Sequence, residues 1–201
     1  MTILRVGVLA LQGDVAEHLS ALRGCGAEAS TVRTPAELES VDALVLPGGE
    51  STTMSRLLQV FGLEMPLRER LAAGMPTLST CAGLILMSRE VLDGRADQLA
   101  LGILDVSVRR NGYGRQVDSF EADVPVSLLG IAPFRAVFIR APRIEHAGPE
   151  SEVVATFGGN PVAVIQGPHI GLCFHPEMTD DSRLHQLFVE RSVAALEVSA
   201  A

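Results

Sequence analysis

The pattern of apolar runs predicts an α/β protein with three layers, a mostly parallel sheet between helices, and antiparallel strands added in its second half. Up to Val91, short apolar runs alternate with stretches that carry apolar residues at helical spacing, the rhythm of βα units. Beyond Leu104 the rhythm gives way to short β-rich runs separated by Gly, Pro and Asn. The chain has 201 residues, 47 % of them apolar, which suits one filled core and predicts a single domain over residues 1–201.

The elements follow in order. Leu4 to Leu11 reads as a buried strand and Val15 to Gly24 as a helix with Val15, Leu19 and Leu22 on one side. Ala29 to Val32 is a short strand and Pro35 to Glu39 a short helix. Ala43 to Leu46 is a strand that ends in Pro47-Gly48-Gly49, and Thr52 to Val60 is a helix for which Ser51 offers a cap. Pro66 to Ala73 is helical and stops at Gly74. Pro76 to Thr80 is a strand and Ala82 to Val91 a helix. The later strands are Leu104 to Arg109, Val117 to Glu121, Ala136 to Ile139, Glu152 to Phe157, Pro161 to Gln166 and Ile170 to Phe174, read as hairpins joined to the parallel sheet. The turn signal at 158–161 separates two of them, and Asp181 to Leu196 closes the chain as a helix.

Composition narrows the function classes. A net charge of -8 and no basic stripe disfavour nucleic acid as a partner. No run approaches the roughly 18 apolar residues of a membrane span, and the apolar start lacks the pattern of a signal peptide. The three cysteines, Cys25, Cys81 and Cys173, are too few and too scattered for a disulfide framework or a zinc site. A reducing cytoplasm is the simplest setting. At 20 %, the charged fraction is lean, as expected where a partner covers part of the surface.

Cys81 lies between an apolar strand and an apolar helix, flanked by the small residues Ser79, Thr80, Ala82 and Gly83. A sharp strand-to-helix turn needs such neighbours, because its central residue adopts a strained conformation. The start of a helix offers free N–H groups, and the N–H of Ala82 is a candidate oxyanion donor. Cys25, at a helix end, and Cys173, within an apolar strand, read as packing residues.

A cysteine nucleophile needs a base that can return the proton, and histidine suits this near neutral pH. His18 and His185 fall in helices and read as surface or packing residues, His146 as a loop residue and His169 as a turn residue. His175 follows an apolar strand and precedes Pro176-Glu177. In an extended segment residues i and i+2 share a side, so Glu177 is placed to orient the imidazole. The loop Pro47-Gly48-Gly49-Glu50-Ser51 is a further strand–turn–helix, in which paired glycines let backbone approach a ligand. It lacks the pattern of a phosphate-binding loop.

Taken together, Ser79-Thr80-Cys81-Ala82-Gly83, Pro47-Gly48-Gly49 and His175-Pro176-Glu177 resemble the class I, triad-type glutamine amidotransferases. Longer strings narrow the resemblance to the glutaminase subunits of pyridoxal 5'-phosphate synthases and run over nearly the whole chain. They include Leu11-Gln12-Gly13, Gly48-Gly49-Glu50-Ser51-Thr52-Thr53-Met54, Arg110-Asn111, residues 114–123 and Phe138-Ile139-Arg140-Ala141-Pro142. The elbow of that family usually begins with glycine, where this chain has Ser79.

The resemblance implies a flavodoxin-like fold and hydrolysis of L-glutamine, with Cys81 as nucleophile, His175 as acid and base, and Glu177 as its partner. It implies that Gly49, Glu50, Ser51, Arg110, Ile139 and Arg140 line the glutamine site, with the backbone at Gly49 and Ala82 near the oxyanion and Gln12 helping to complete it. No metal and no cofactor is expected. The implied partner is a separate barrel-shaped synthase subunit, bound in a hetero-oligomer, that receives the ammonia. The alternatives are a cysteine amidohydrolase that acts alone and a binding module without catalysis.

Overall fold

The computed structural model describes residues 3–112 and 119–199. Its first strand, β1 (Arg5–Leu9), is buried from Val6 onward, as expected of a strand covered on both faces. It leads to α1 (Val15–Gly24), β2 (Glu28–Val32) and α2 (Pro35–Glu39). In α2, Thr34 and Glu37 form a reciprocal capping box. Next come β3 (Ala43–Leu46), α3 (Ser51–Val60), α4 (Glu64–Ala72), β4 (Thr77–Thr80) and α5 (Ala82–Met87). All residues of β3 and β4 are buried.

The second half contains β5 (Ser88–Val91), β6 (Leu104–Arg109), β7 (Ser119–Val124), β8 (Phe134–Ile139), β9 (Arg143–Ala147), β10 (Glu152–Phe157), β11 (Asn160–Gln166) and β12 (His169–Leu172). A short 3-10 turn, Pro176–Met178, and α6 (Arg183–Ser199) complete the described chain. The main sheet has seven strands in the order β10-β11-β12-β4-β3-β1-β2. From β2 to β12 the neighbours are parallel, and β11 and β10 extend that edge antiparallel. α1 packs on β1 and β2 and against α6, whereas α5 packs on β3, β4 and β12 and against α3.

Several boundaries differ from the sequence reading. The helix expected over Ala82 to Val91 ends at Met87, and Ser88–Val91 pairs with β6 instead. The last helical carbonyls find donors elsewhere: Leu86 accepts from the N–H of Leu101, Met87 from that of Ile103, and Ile85 from the Ser88 hydroxyl. The cap of α3 is Glu50, not Ser51; its carboxylate accepts from the N–H groups of Thr52 and Thr53. The loop expected around His146 is β9, paired with β6. Of the later strands, three join the main sheet, while β5-β6-β9 and β7-β8 form two small sheets beside it. The first two residues of the strand expected over Val117 to Glu121, and residues 114–118 of the longer string, lie outside the described residues.

The turn at 158–161 is present, with Gly158 at φ 56 and Gly159 at φ 82. His18, His185 and His169, read as surface, packing or turn residues, are all buried, the first two completely. Cys173 is fully buried, and its thiol is held far above the ordinary range by burial. Among the described residues no helix is long and apolar enough to cross a membrane.

Candidate active site

Ligands of open α/β sheets gather beyond the carboxyl ends of the parallel strands. Here four adjacent strands contribute there. β1 leads to Gln12, Gly13 and Asp14; β3 leads to Gly49, Glu50 and Ser51; β4 leads to Cys81; and β12 leads to His175. The small sheets supply the remaining wall, with Arg110 and Asn111 after β6 and Ile139 and Arg140 at the end of β8.

Cys81 sits between β4 and α5 with φ 48 and ψ -103, a conformation that costs a non-glycine residue of order 1–3 kcal/mol. The turn is clamped on both sides. Its N–H donates to the Leu172 carbonyl at 2.9 Å, and its carbonyl accepts from Ile85 at 3.2 Å. Gly83 lies so near β3 that a Cβ there would stand 2.1 Å from the Leu46 carbonyl oxygen. The Cys81 Sγ approaches the Ile139 carbonyl at 3.8 Å.

Ser79, two residues before Cys81, has a partner across the sheet. It is fully buried in β4, and its hydroxyl donates to the Ile170 carbonyl of β12 at 3.0 Å. Ser79→Gly removes that bond and frees the backbone, at a cost of about 1–2 kcal/mol. The expected result is a lower melting temperature with kcat/KM unchanged, checked by thermal unfolding beside a steady-state assay.

His175 Nδ1 and Glu177 Oε1 are 2.7 Å apart. They meet because Pro176 starts a 3-10 turn directly after an extended His175, rather than through the continued extended segment expected from sequence. The backbone N–H of His175 donates to the Val137 carbonyl of β8, which ties this residue to the small sheet. Burial disfavours a charged His175, but hydrogen bonds to Cys81 and Glu177 and the charges of both outweigh it, and its pKa is raised to about 10. Burial raises Glu177, and His175 partly offsets this. Behind the carboxylate, Oε2 lies 3.3 Å from His18 Nε2, and His18 Nδ1 lies 3.0 Å from His185 Nε2.

Glu50 pairs with Arg110 at 3.0 Å while capping α3. Burial acts to raise the Glu50 carboxyl, but the Thr53 hydroxyl and the Thr52 and Thr53 amides hold it down to about 2. The cap and pair therefore persist through neutral pH and are lost only as the pH falls from the ordinary carboxylate range toward about 2. The Glu50 N–H donates to Gln12 Oε1 at 3.0 Å.

Cys81, His175, Gly49, Glu50, Ser51, Arg110, Ile139 and Arg140 line one cavity of about 350 Å³. Glu177 is behind His175, and Ala82 starts α5 beneath the elbow; neither lines the cavity. Sequence reasoning did not assign Asp14, Ile85, Asn111 and Met178, which also line it. Asn111 and Arg140 carry positive φ, at 45 and 43, and Asn111 stands in a string already singled out. Asp14, His175 and Glu177 place donor atoms within 4.8 Å of one another, but His175 Nδ1 is engaged by Glu177.

Known proteins are similar to this chain in sequence and fold. A pyridoxal 5'-phosphate synthase subunit PdxT from Acidothermus cellulolyticus is 55 % identical over 96 % of each chain. The subunit of that name from Mycolicibacterium vanbaalenii is 59 % identical over 94 % of this chain and 98 % of its own. A solved structure described as a glutamine amidotransferase superposes with a TM-score of 0.87 at 46 % identity, covering 94 % of this chain and 98 % of the other. A Thermoplasma acidophilum protein described as a putative GMP synthase subunit shares the fold, with a TM-score of 0.73 at 17 % identity. The elbow cysteine and His175 line one cavity, residues 8–194 match the SNO glutamine amidotransferase family, and this chain belongs to that family.

Proposed function

We propose that this chain is a single glutaminase domain that releases ammonia from L-glutamine for a pyridoxal 5'-phosphate synthase subunit bound to it. The observation that carries the reading is the strained Cys81 facing a cavity beside a His175–Glu177 pair 2.7 Å apart. The high identity to PdxT subunits along nearly the whole chain supports the partner.

In this reading Cys81 attacks the glutamine carboxamide carbon as a thiolate, beside a His175 ring that already carries a proton at neutral pH. Backbone N–H groups near Gly49 and Ala82 meet the oxyanion. His175 then gives the proton to the leaving nitrogen, and ammonia departs from a γ-glutamyl thioester. Water, deprotonated by His175, attacks the thioester carbon, and glutamate leaves as the sulfur departs as a thiolate beside the reprotonated His175. Glu177 keeps the imidazole in the tautomer that presents Nε2 to the sulfur. Glu50 offers an anion to the substrate ammonium, and Arg110 and Arg140 offer cations to its carboxylate.

The deciding experiment is a glutamine hydrolysis assay with and without the synthase subunit. Glutamate release that rises on adding the subunit supports the reading; release unaffected by it points to an amidohydrolase that acts alone. Glu50→Gln separates binding from chemistry. A lost charge-assisted contact predicts a KM for glutamine raised on the order of 10–100-fold, with a smaller change in kcat.

A further inference from the structure

His18 and His185 are the two fully buried histidines of the molecule's described part, and the mechanism above uses neither. A buried imidazole is costly unless its polar atoms are engaged, and α1 and α6 could pack on apolar residues alone. We propose that His18 is a positioning residue for the glutaminase reaction, donating its Nε2–H toward Glu177 Oε2 and fixing the carboxylate that orients His175. The inference rests on the glutaminase reading of the site.

One hydrogen must lie between His18 Nδ1 and His185 Nε2, which are 3.0 Å apart. If His18 supplied it, its bare Nε2 could accept from the Thr80 hydroxyl at 3.5 Å but would also face a carboxylate oxygen at 3.3 Å, and His185 Nδ1 would carry an N–H with no acceptor among the described residues. If His185 supplies it, His18 keeps a hydrogen on Nε2, directed to the anion, and His185 Nδ1 is left with only a lone pair. The second arrangement leaves no N–H of the pair without an acceptor nearby, because the Nε2 hydrogen lies between the Thr80 hydroxyl oxygen and the anion. Burial first, and then the neighbouring His185 and His175, hold His18 well below the ordinary histidine range, so the donor is a neutral ring.

A neutral donor suits the task. A charged His18 would compete with His175 for the same carboxylate, whereas a dipole steadies the anion and leaves the His175 pairing dominant. Without His18, Oε2 would be a buried anionic oxygen that completes no regular hydrogen bond; even with it, the 3.3 Å contact is long and off line. The other titratable groups around Glu177 are His175 on its own turn and Asp14 ahead of α1. The cleft outside Glu177 and His185 is edged by Glu17, Asp180 and Asp181, acids that cannot supply a hydrogen while ionised.

The test uses the chain in complex with the synthase subunit, with wild type and Cys81→Ala as references. In His18→Leu, kcat is expected to fall on the order of 10–100-fold while KM stays within about 2-fold. Because the Glu177 anion is then less stable, the acid limb of the kcat profile moves to higher pH. His18→Gln, whose amide nitrogen reaches toward the Nε2 position, is expected to recover kcat to within about 5-fold of wild type.

A His18→Leu protein with wild-type kcat and an unmoved acid limb overturns the proposal. So does a folded His18→Gln protein as impaired as His18→Leu. Should His18→Leu not fold, nitrogen NMR of labelled histidines in the wild-type protein decides. The expectation is a neutral His18 protonated on Nε2 from about pH 6 to about pH 9, and a charged ring or an Nδ1–H tautomer overturns the assignment. Failure of the glutaminase reading is visible separately, as a wild-type complex that releases no more glutamate than Cys81→Ala.

Discussion

Replacing Cys81 with alanine lowers glutamine hydrolysis by at least ~10^3-fold, because no nearby side chain can take over the bond to the carboxamide carbon. The remaining rate reports what the cavity and oxyanion donors achieve without a nucleophile. Stability should hardly move in this variant, since alanine at φ 48 is as strained as cysteine. Cys81→Gly separates the two quantities. It is equally inactive, but glycine accepts this conformation, so its melting temperature should lie at or above that of Cys81→Ala despite the extra freedom of the unfolded chain. Glutamate release and thermal unfolding of the two variants check both expectations. Hydrolysis retained in Cys81→Ala would remove the nucleophile from the mechanism, and a Cys81→Gly protein less stable than Cys81→Ala would remove the strain argument.

The second large effect is expected at Gly48, which does not touch the reacting atoms. A Cβ at this position would lie 2.3 Å from Cε1 of His175 and 2.9 Å from its Nδ1. The ring has little room to retreat, because it is buried, bonded to Glu177 and anchored through its backbone to Val137. Gly48→Ala therefore displaces the imidazole or the glycine loop itself. A misplacement of about 1 Å at a catalytic group costs on the order of 10^2-fold in rate. The expected outcome is kcat reduced by about that factor, with KM for glutamine altered less. A Gly48→Ala enzyme with unchanged kcat would show that the ring and loop can part without consequence.

Much of this was readable in the residues. The parallel half follows from fully apolar segments such as Ala43–Leu46 set between helical patterns, and these are strong signals because a strand covered on both faces has no polar side to confuse its period. The elbow cysteine, the glycine loop and the histidine with its glutamate stood out because tight turns admit few residue types. What stayed hidden depends on contacts made across the chain. β9 exposes Glu145 and His146 and fully buries only Ile144, so its sequence has no apolar run to announce it. The helix after Cys81 looks longer in sequence than in space, because the segment around Leu101–Ile103 takes its final carbonyls. Ser51 resembled a cap, yet Glu50 reaches the same amides with a longer side chain. His18 and His185 read as ordinary helix residues because nothing local indicates that α1 and α6 meet behind Glu177. Asp14 gave no signal of its own, being an acid in a turn until β12 brings His175 within 3.5 Å of it.

The order of strands in the main sheet has a kinetic consequence. β12 is the last strand in sequence yet lies in the interior of the sheet, between β4 and β11. Until it is seated, Cys81 lacks the carbonyl of Leu172 that holds its N–H, and His175 has no fixed position. The nucleophile and its base therefore become competent in one late event that closes a long loop, the kind of contact that slows folding. During synthesis, a nascent chain that has not yet released β12 would carry the reactive cysteine without its partner, and so would make no ammonia before the sheet is complete.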